Sequence, residues 1–180
     1  MKHSLIVFSA LALGAAAYFG GTRTCALPFD FEVGQGTGAT STVSTAPQPN
    51  VPDGWITDIN AAIEQAKTEN KQVLVKFTGS DWCPPCTMLQ RRVLDSDDFK
   101  AYADENLVQV YVDFPRFKPQ TDVLQRQNKA LHSIFQVEGF PTMVVLGKDG
   151  TPLAKMMYTG APTEEYIGAL KEISEADQNS

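Results

Sequence analysis

The chain has 180 residues, of which 43% are hydrophobic and 20% are charged, and these proportions are ordinary for a globular domain. A mean hydropathy of -0.18 excludes a polytopic membrane protein. The formal net charge of -6 gives no basic footprint for nucleic acid, so we expect no nucleic-acid partner.

The first residues have the layout of an export signal. Lys2 gives the start a positive charge, residues 5–19 form an apolar run, and three alanines at 15–17 suit a cleavage site. An apolar run of this length is borderline for crossing a bilayer, so a retained membrane anchor is the alternative, with a buried core helix as the third interpretation. Residues 1–25 are therefore a signal peptide or an N-terminal membrane anchor, which predicts an exported protein of the periplasm or cell envelope.

Cys25 follows this leader, where a cysteine can be the site of lipid attachment. The preceding Thr22, Arg23 and Thr24 lack the small and apolar character of a lipoprotein signal, which favours an ordinary tether cysteine. From residue 26 to about 54 the composition shifts to Gly, Thr, Ser, Ala and Pro. Such a segment cannot bury enough apolar surface to offset its ordering entropy, so it is expected to be a flexible linker or a processed remnant.

The folded domain is expected over residues 55–180, and an amphipathic helix opens it. Asp58 and Asn60 suit the start of a helix. The apolar face of this helix is expected to consist of Ile56, Ile59, Ala62, Ile63 and Ala66. A β-branched and apolar run at residues 73–77 then predicts a buried strand.

The rest of the chain alternates helices and strands. A short helix is predicted from Asp97 to about Asn106 and a second strong strand at residues 107–113. Residues 114–119 contain two prolines and cannot continue a central strand, so they form a loop that either packs ordinarily or contacts a partner near the site.

A long helix is predicted over about residues 120–136, with His132 as a surface or half-buried residue rather than a ligand. Residues 142–146 and 153–158 predict a β-hairpin around a turn at 147–150. A closing helix is predicted from Thr163, as its N-cap, to about Glu175. This order of elements predicts an α/β fold with a mixed central β-sheet flanked by helices.

The sequence Cys83-Pro84-Pro85-Cys86 lies between the first strand and a helix. If Cys83 is the N-cap, the two prolines occupy helical positions that need no N–H, and the N–H of Cys86 points at the Cys83 sulfur. A helix start favours a thiolate, and this spacing can close into a disulfide without large backbone movement. Cys83, ahead of the helix and exposed, is therefore the predicted nucleophile, and the shielded Cys86 is the predicted resolving cysteine.

A CxxC motif has three other uses in proteins. A closed zinc site needs four ligands, whereas the chain has 3 Cys and 2 His, and two of these five lie in or near the leader. Haem attachment requires a histidine after the second cysteine, and Thr87 stands there. A static structural disulfide is the remaining alternative. We therefore expect no metal and no organic cofactor.

The stretch from Trp82 to Cys86, followed some fifty residues later by Gly139-Phe140-Pro141-Thr142, resembles the thioredoxin family, and in particular bacterial envelope thioredoxin-like proteins. The resemblance covers roughly the last two thirds of the chain. It implies a thioredoxin-like domain over residues 55–180, in which the Phe140–Pro141 bond is cis and packs beside the sulfurs. It also implies that Trp82, Phe140 and Pro141 bind the substrate, with Phe140 docking an extended peptide.

Two residues depart from the family pattern. Lys76 occupies the place of a buried acid that thioredoxins carry on the strand before the motif, and we expect its side chain to extend to solvent. If it faced Cys86 instead, it would favour the thiolate or take a proton as a neutral amine. Pro84 replaces a glycine and withholds an N–H from the Cys83 sulfur, which on its own favours a more reducing pair. The direction of electron flow stays open.

These observations predict an exported thiol:disulfide oxidoreductase of the protein-disulfide reductase or isomerase type. Its expected partners are cysteine-containing envelope proteins and an upstream thiol protein that donates or accepts electrons, with membrane contact only through a possible N-terminal anchor. The rival hypothesis is a non-catalytic peptide-binding or chaperone-like module whose disulfide stays closed.

Overall fold

The computed structural model describes residues 51–179. The predicted signal peptide or anchor, Cys25 and the linker up to residue 50 lie outside the described residues, and the predictions about them stay predictions. Within residues 51–179, no helix is both long enough and apolar enough to cross a membrane.

A five-stranded mixed sheet forms the centre of the domain. Its strands, in chain order, are β1 (Trp55–Ile56), β2 (Gln72–Thr78), β3 (Leu107–Asp113), β4 (Thr142–Leu146) and β5 (Pro152–Met157). In space the order is β1-β3-β2-β4-β5, so β2 lies at the centre. β3 is parallel to β1 and β2, whereas β4 is antiparallel to both β2 and β5. This is the mixed sheet expected from the sequence.

Helices cover both faces of the sheet. They are α1 (Ile59–Glu69), α2 (Pro84–Leu89), a π-helical segment (Gln90–Leu94), α3 (Asp97–Asn106), α4 (Asp122–Ile134) and α5 (Thr163–Gln178). Four of them begin at side-chain caps: Asp58, Ser96 and Thr121 each accept a backbone N–H of the first turn through an oxygen, and Cys83 accepts one at the start of α2 through its sulfur. Local sequence therefore determines where these helices begin.

The two faces of the sheet bury separate apolar clusters, and β2 contributes to both because successive side chains of a strand alternate. Val73, Val75 and Phe77 pack with residues of α1 and α4 on one face. Leu74 packs on the other face with residues of α2, the π-helical segment, α3 and α5. The start of α2, which carries the cysteine motif, therefore joins the end of the fully buried central strand.

Three local predictions need correction. Ile56, expected on the apolar face of α1, forms β1 together with Trp55 instead, since pairing with Gln109 and Val110 of β3 holds both residues in the sheet. The helix after the motif changes to π geometry at Gln90, a change that apolar spacing does not reveal. Thr163 is the first residue of α5, not its N-cap, and its hydroxyl donates to the carbonyl of Arg92 at 3.1 Å.

Candidate redox site

The cysteine motif is built on a tight connection between β2 and α2. The carbonyl of Gly79 accepts the backbone N–H groups of Trp82 at 3.3 Å and Cys83 at 3.0 Å. Cys83 then caps α2, and its sulfur accepts the N–H of Cys86 at 3.3 Å. Pro84 is the first helical residue, as expected. The backbone therefore holds the first sulfur at the beginning of the helix, where the peptide dipoles favour negative charge.

Cys83 and Cys86 are joined by a disulfide with an S–S distance of 2.04 Å. Cys83 is only 5% exposed and Cys86 only 2% exposed. The prediction that Cys83 is exposed is therefore wrong for this oxidised state, because its side chain turns back towards the N–H of Cys86. The exposed part of the motif is the pair Pro84 and Pro85.

Aromatic rings surround the residue before the motif. The ring of Trp82 contacts the edge of Phe140 at a centroid distance of 5.9 Å, and Phe140 stacks on Phe114 at 5.1 Å. His132 is half-buried beside Phe114 and Phe140. The Phe140–Pro141 bond is cis. The structure thus brings Trp82 together with Phe140, two residues far apart in sequence that were predicted to bind substrate.

The segment Phe114–Lys118, called the rim loop below, is attached to the lead-in of the motif. The indole N–H of Trp82 donates to the carbonyl of Phe114 at 2.7 Å. The carboxylate of Asp81 accepts the backbone N–H groups of Arg116 at 3.0 Å and Phe117 at 2.8 Å. The sequence predicts a loop here but not its attachment to the residues before Cys83. Asp81, a carboxylate able to bind exposed N–H groups, was the available signal.

Further contacts fix the same attachment. Ser80 donates to Asp113 through both its backbone N–H at 2.8 Å and its hydroxyl at 2.6 Å, which ties the end of β3 to the motif. Desolvation acts to raise the pKa of Asp81. The backbone N–H groups of the rim loop, led by that of Arg116, outweigh it and hold this pKa below its usual range. Asp81 therefore stays a carboxylate at neutral pH and keeps accepting these bonds.

Lys76 does not extend to solvent, which corrects the expectation from sequence. It is 1% exposed, on the face of β2 that also carries Leu74. Its amine donates to the side-chain carbonyl of Gln90 and lies 5.2 Å from the ring centroid of Tyr111. Because β2 is central and covered on both faces, a side chain in its middle has no path to water. Lys76 is thus a buried cation beneath the helix that carries Cys86.

Burial lowers the pKa of Lys76 to about 8, although the carboxylates of Asp95 and Asp113 act in the opposite direction. Gln90 connects this amine to the redox helix, since the backbone N–H of Gln90 donates to the carbonyl of Cys86. No group of three or more His, Cys, Asp or Glu side chains that could hold a metal occurs within residues 51–179.

Gly79 leaves room for the indole of Trp82, and this gives a paired prediction. A Cβ at Gly79 would lie 2.4 Å from the ring, whereas a Cβ at Gly168, within α5, meets nothing within 4 Å. Gly79→Ala is therefore expected to lower the free energy of unfolding by about 1–3 kcal/mol through overpacking. Gly168→Ala is expected to raise it by roughly 0.5–1 kcal/mol, since alanine favours a helix. Denaturant unfolding measures both; a neutral Gly79→Ala would show that Trp82 is not confined.

Two proteins of Chlamydia pneumoniae are similar to this chain in sequence. The chain is 34% identical over 110 residues to the disulfide bond reductase DsbH of Chlamydia pneumoniae, a match that covers 61% of this chain and 66% of that protein. It is 31% identical over 124 residues to the thioredoxin-related protein DsbJ of the same organism, covering 68% of this chain and 36% of DsbJ. The chain thus spans less than two thirds of either relative.

Solved structures share the fold. A structure described as DsbH oxidoreductase superposes with a TM-score of 0.61 at 30% identity, covering 71% of this chain and 91% of the other. A disulphide isomerase from Xylella fastidiosa Temecula1 superposes with a TM-score of 0.52 at 19% identity, covering 69% and 96%, and shares the fold. The sequence model of a protein family, described as a thioredoxin-like domain, matches residues 59–174, which is more than half of the chain. The chain therefore has the thioredoxin fold and belongs to the thioredoxin-like family.

Proposed function

We propose that this protein is a thiol:disulfide oxidoreductase that exchanges electrons with cysteines of other proteins. The observation that carries the proposal is the disulfide between Cys83 and Cys86 at the capped start of α2. The relatives named as a disulfide bond reductase and a thioredoxin-related protein support a redox function of this kind.

In the reducing direction the reaction has two exchanges. The Cys83 thiolate attacks one sulfur of a substrate disulfide, which forms a mixed disulfide and releases the other substrate sulfur as a thiolate that takes a proton. Cys86, as a thiolate, then attacks the Cys83 sulfur and releases the second substrate thiol. Two electrons pass to the substrate, and the Cys83–Cys86 disulfide remains. A second thiol protein must supply two electrons to regenerate the dithiol.

The same residues account for binding and for the choice of Cys83 as nucleophile. Its sulfur accepts the N–H of Cys86 at the beginning of α2, which favours the thiolate, and Cys83 is 5% exposed against 2% for Cys86. Trp82, Phe140 and Pro141 provide the docking surface for an extended segment. An exported location, in the periplasm or cell envelope, completes the proposal and rests on the leader-like residues 1–25. Cysteine-containing envelope proteins are then the substrates.

Reduction of insulin tests the proposal against a non-catalytic peptide-binding module. With Cys25→Ser as the background and dithiothreitol as the electron source, the protein is expected to accelerate precipitation of the insulin B chain well above the dithiothreitol rate. The matched control replaces both Cys83 and Cys86 by serine. Equal rates for the two proteins would rule out reduction and favour the binding module.

A further inference from the structure

The rim loop combines an exposed apolar side chain with an exposed cation next to the proposed site. Phe117 is 81% exposed, the highest value among the large hydrophobic side chains of residues 51–179 that are exposed. The guanidinium of Arg116 lies 3.9 Å from the centroid of the Trp82 ring. Because Trp82 directly precedes Cys83, a segment that reaches the disulfide passes close to both side chains.

The cation is held in position but is not neutralised. The two ion pairs of residues 51–179 join Lys67 to Glu64 and Lys71 to Glu69, so no carboxylate of this part lies within ion-pair distance of Arg116. Asp81, the carboxylate bonded to the loop, is occupied by backbone N–H groups. The guanidinium carbon lies over the Trp82 ring, and no carboxylate of residues 51–179 pairs with its N–H groups.

Two further exposed cations lie close to the motif. Arg91 and Arg92 line a surface depression together with Pro84, Thr87 and Met88. Arg116 lies over Trp82, the residue before the motif. In a chain with 21 acidic and 15 basic residues, three exposed arginines near one site, none of them in an ion pair within residues 51–179, favour an acidic partner.

We propose that the rim loop binds the polypeptide segment around the substrate cysteine, and that Arg116 selects segments that carry a carboxylate close to that cysteine. Phe117 provides apolar contact to the same segment, independent of its charge. The proposal rests on the proposed function and specifies its substrates, namely cysteine-containing segments with acidic character. The guanidinium pairs with a carboxylate in the complex while it stays in contact with the indole.

Three disulfide-linked peptides that differ only in the residue next to the cysteine, Glu, Gln or Lys, test the proposal. The kcat/KM for their reduction by the reduced Cys25→Ser protein is divided by the rate with dithiothreitol, which corrects for intrinsic reactivity. At low salt the Glu peptide is expected to react about fivefold faster than the Lys peptide, because an exposed ion pair contributes up to about this factor. Salt is expected to reduce the ratio.

Variants separate the charge from a structural role of Arg116. Arg116→Gln is expected to bring the three peptides within about twofold of one another, and Arg116→Lys to keep the order. Lys100→Gln, which removes an exposed cation on α3, is expected to leave the ratio unchanged. Phe117→Ala is expected to raise KM for all three peptides alike, by roughly tenfold when the ring is fully buried in the complex.

Equal normalised rates in the parent protein would overturn the selectivity, and so would an Arg116→Gln variant that slows all three peptides to the same extent. In both cases reduction continues, and the proposed function stands. A parent protein that reduces none of the peptides would overturn the selectivity and the proposed function together.

Discussion

Replacing Cys86 by serine is expected to convert the protein into a trap for its substrates. Cys83 can still attack a substrate disulfide, but no second sulfur is present to attack Cys83, so the mixed disulfide persists. In the Cys25→Ser background, Cys86→Ser should form covalent adducts with insulin chains that migrate slowly on a non-reducing gel. A reductant should cleave the mixed disulfides and release the insulin chains.

The matched variant Cys83→Ser should form few adducts and lose turnover. Cys86 lies within the first turn of α2, whereas Cys83 precedes the helix, and at 2% exposure against 5% Cys86 is the less accessible of the two sulfurs. Trapping by Cys83→Ser alone, or equal trapping by both variants, would show that the assigned roles are wrong. The small difference in exposure between the two cysteines makes this the sharpest test of their roles.

Replacing the buried Lys76 by methionine is expected to raise the free energy of unfolding at pH 7 by about 3 kcal/mol. Burial lowers the pKa of this amine from its ordinary value of 10.5 to about 8, and each pKa unit corresponds to about 1.4 kcal/mol. Methionine has a similar length and pays no cost for a buried charge. Chemical denaturation of the oxidised protein, in which Cys83 and Cys86 do not titrate, measures the change.

The pH dependence of the free energy of unfolding shows whether the buried charge of Lys76 is the cause of this change. Below about pH 8 Lys76 is protonated in both the folded and the unfolded chain, so the cost of burying its charge is fully present. Above pH 8 the folded protein loses this proton while the unfolded chain keeps it until about pH 10.5, so stability rises with pH. Burial raises the pKa of Tyr111, which acts in the opposite direction above about pH 10.

The useful window is therefore pH 8–10. Parental stability should increase across it, and Lys76→Met should remove this increase. Lys100→Gln, which changes an exposed lysine, should keep it. An increase of the same size in Lys76→Met would mean that another group is responsible. A destabilised Lys76→Met at pH 7 would mean that the bonds of this amine to Gln90 and the aromatic rings outweigh its desolvation.

Much of the fold could be predicted because its signals are local. The assignment of Gln72–Thr78 and Leu107–Asp113 as strands follows from their β-branched and apolar composition, and Cys83 as N-cap follows from the prolines behind it. By contrast, β1 has only two residues, too few for any alternation to appear. Its assignment depends on pairing with β3, which is a tertiary property.

The surroundings of the site could be predicted only in part. Trp82 and Phe140 were named from their motifs, but their contact with each other depends on how β4 packs beside β2. Lys76 was expected at the surface because isolated lysines usually extend to water, and the central place of β2 outweighs that preference. The position of the rim loop does not follow from the sequence, because Asp81 fixes it through a hydrogen bond between residues 35 positions apart.

Equilibration with glutathione tests the central claim most directly. The Cys25→Ser protein is incubated in buffers of varying ratios of reduced to oxidised glutathione, quenched with acid, and alkylated with a reagent that adds mass to each free thiol. The account predicts one reversible two-electron transition between a species with no free thiol and a species with two, reached from either side. A folded protein whose Cys83–Cys86 disulfide stays oxidised at every ratio, including a large excess of reduced glutathione, would contradict the account. The disulfide would then be static and structural.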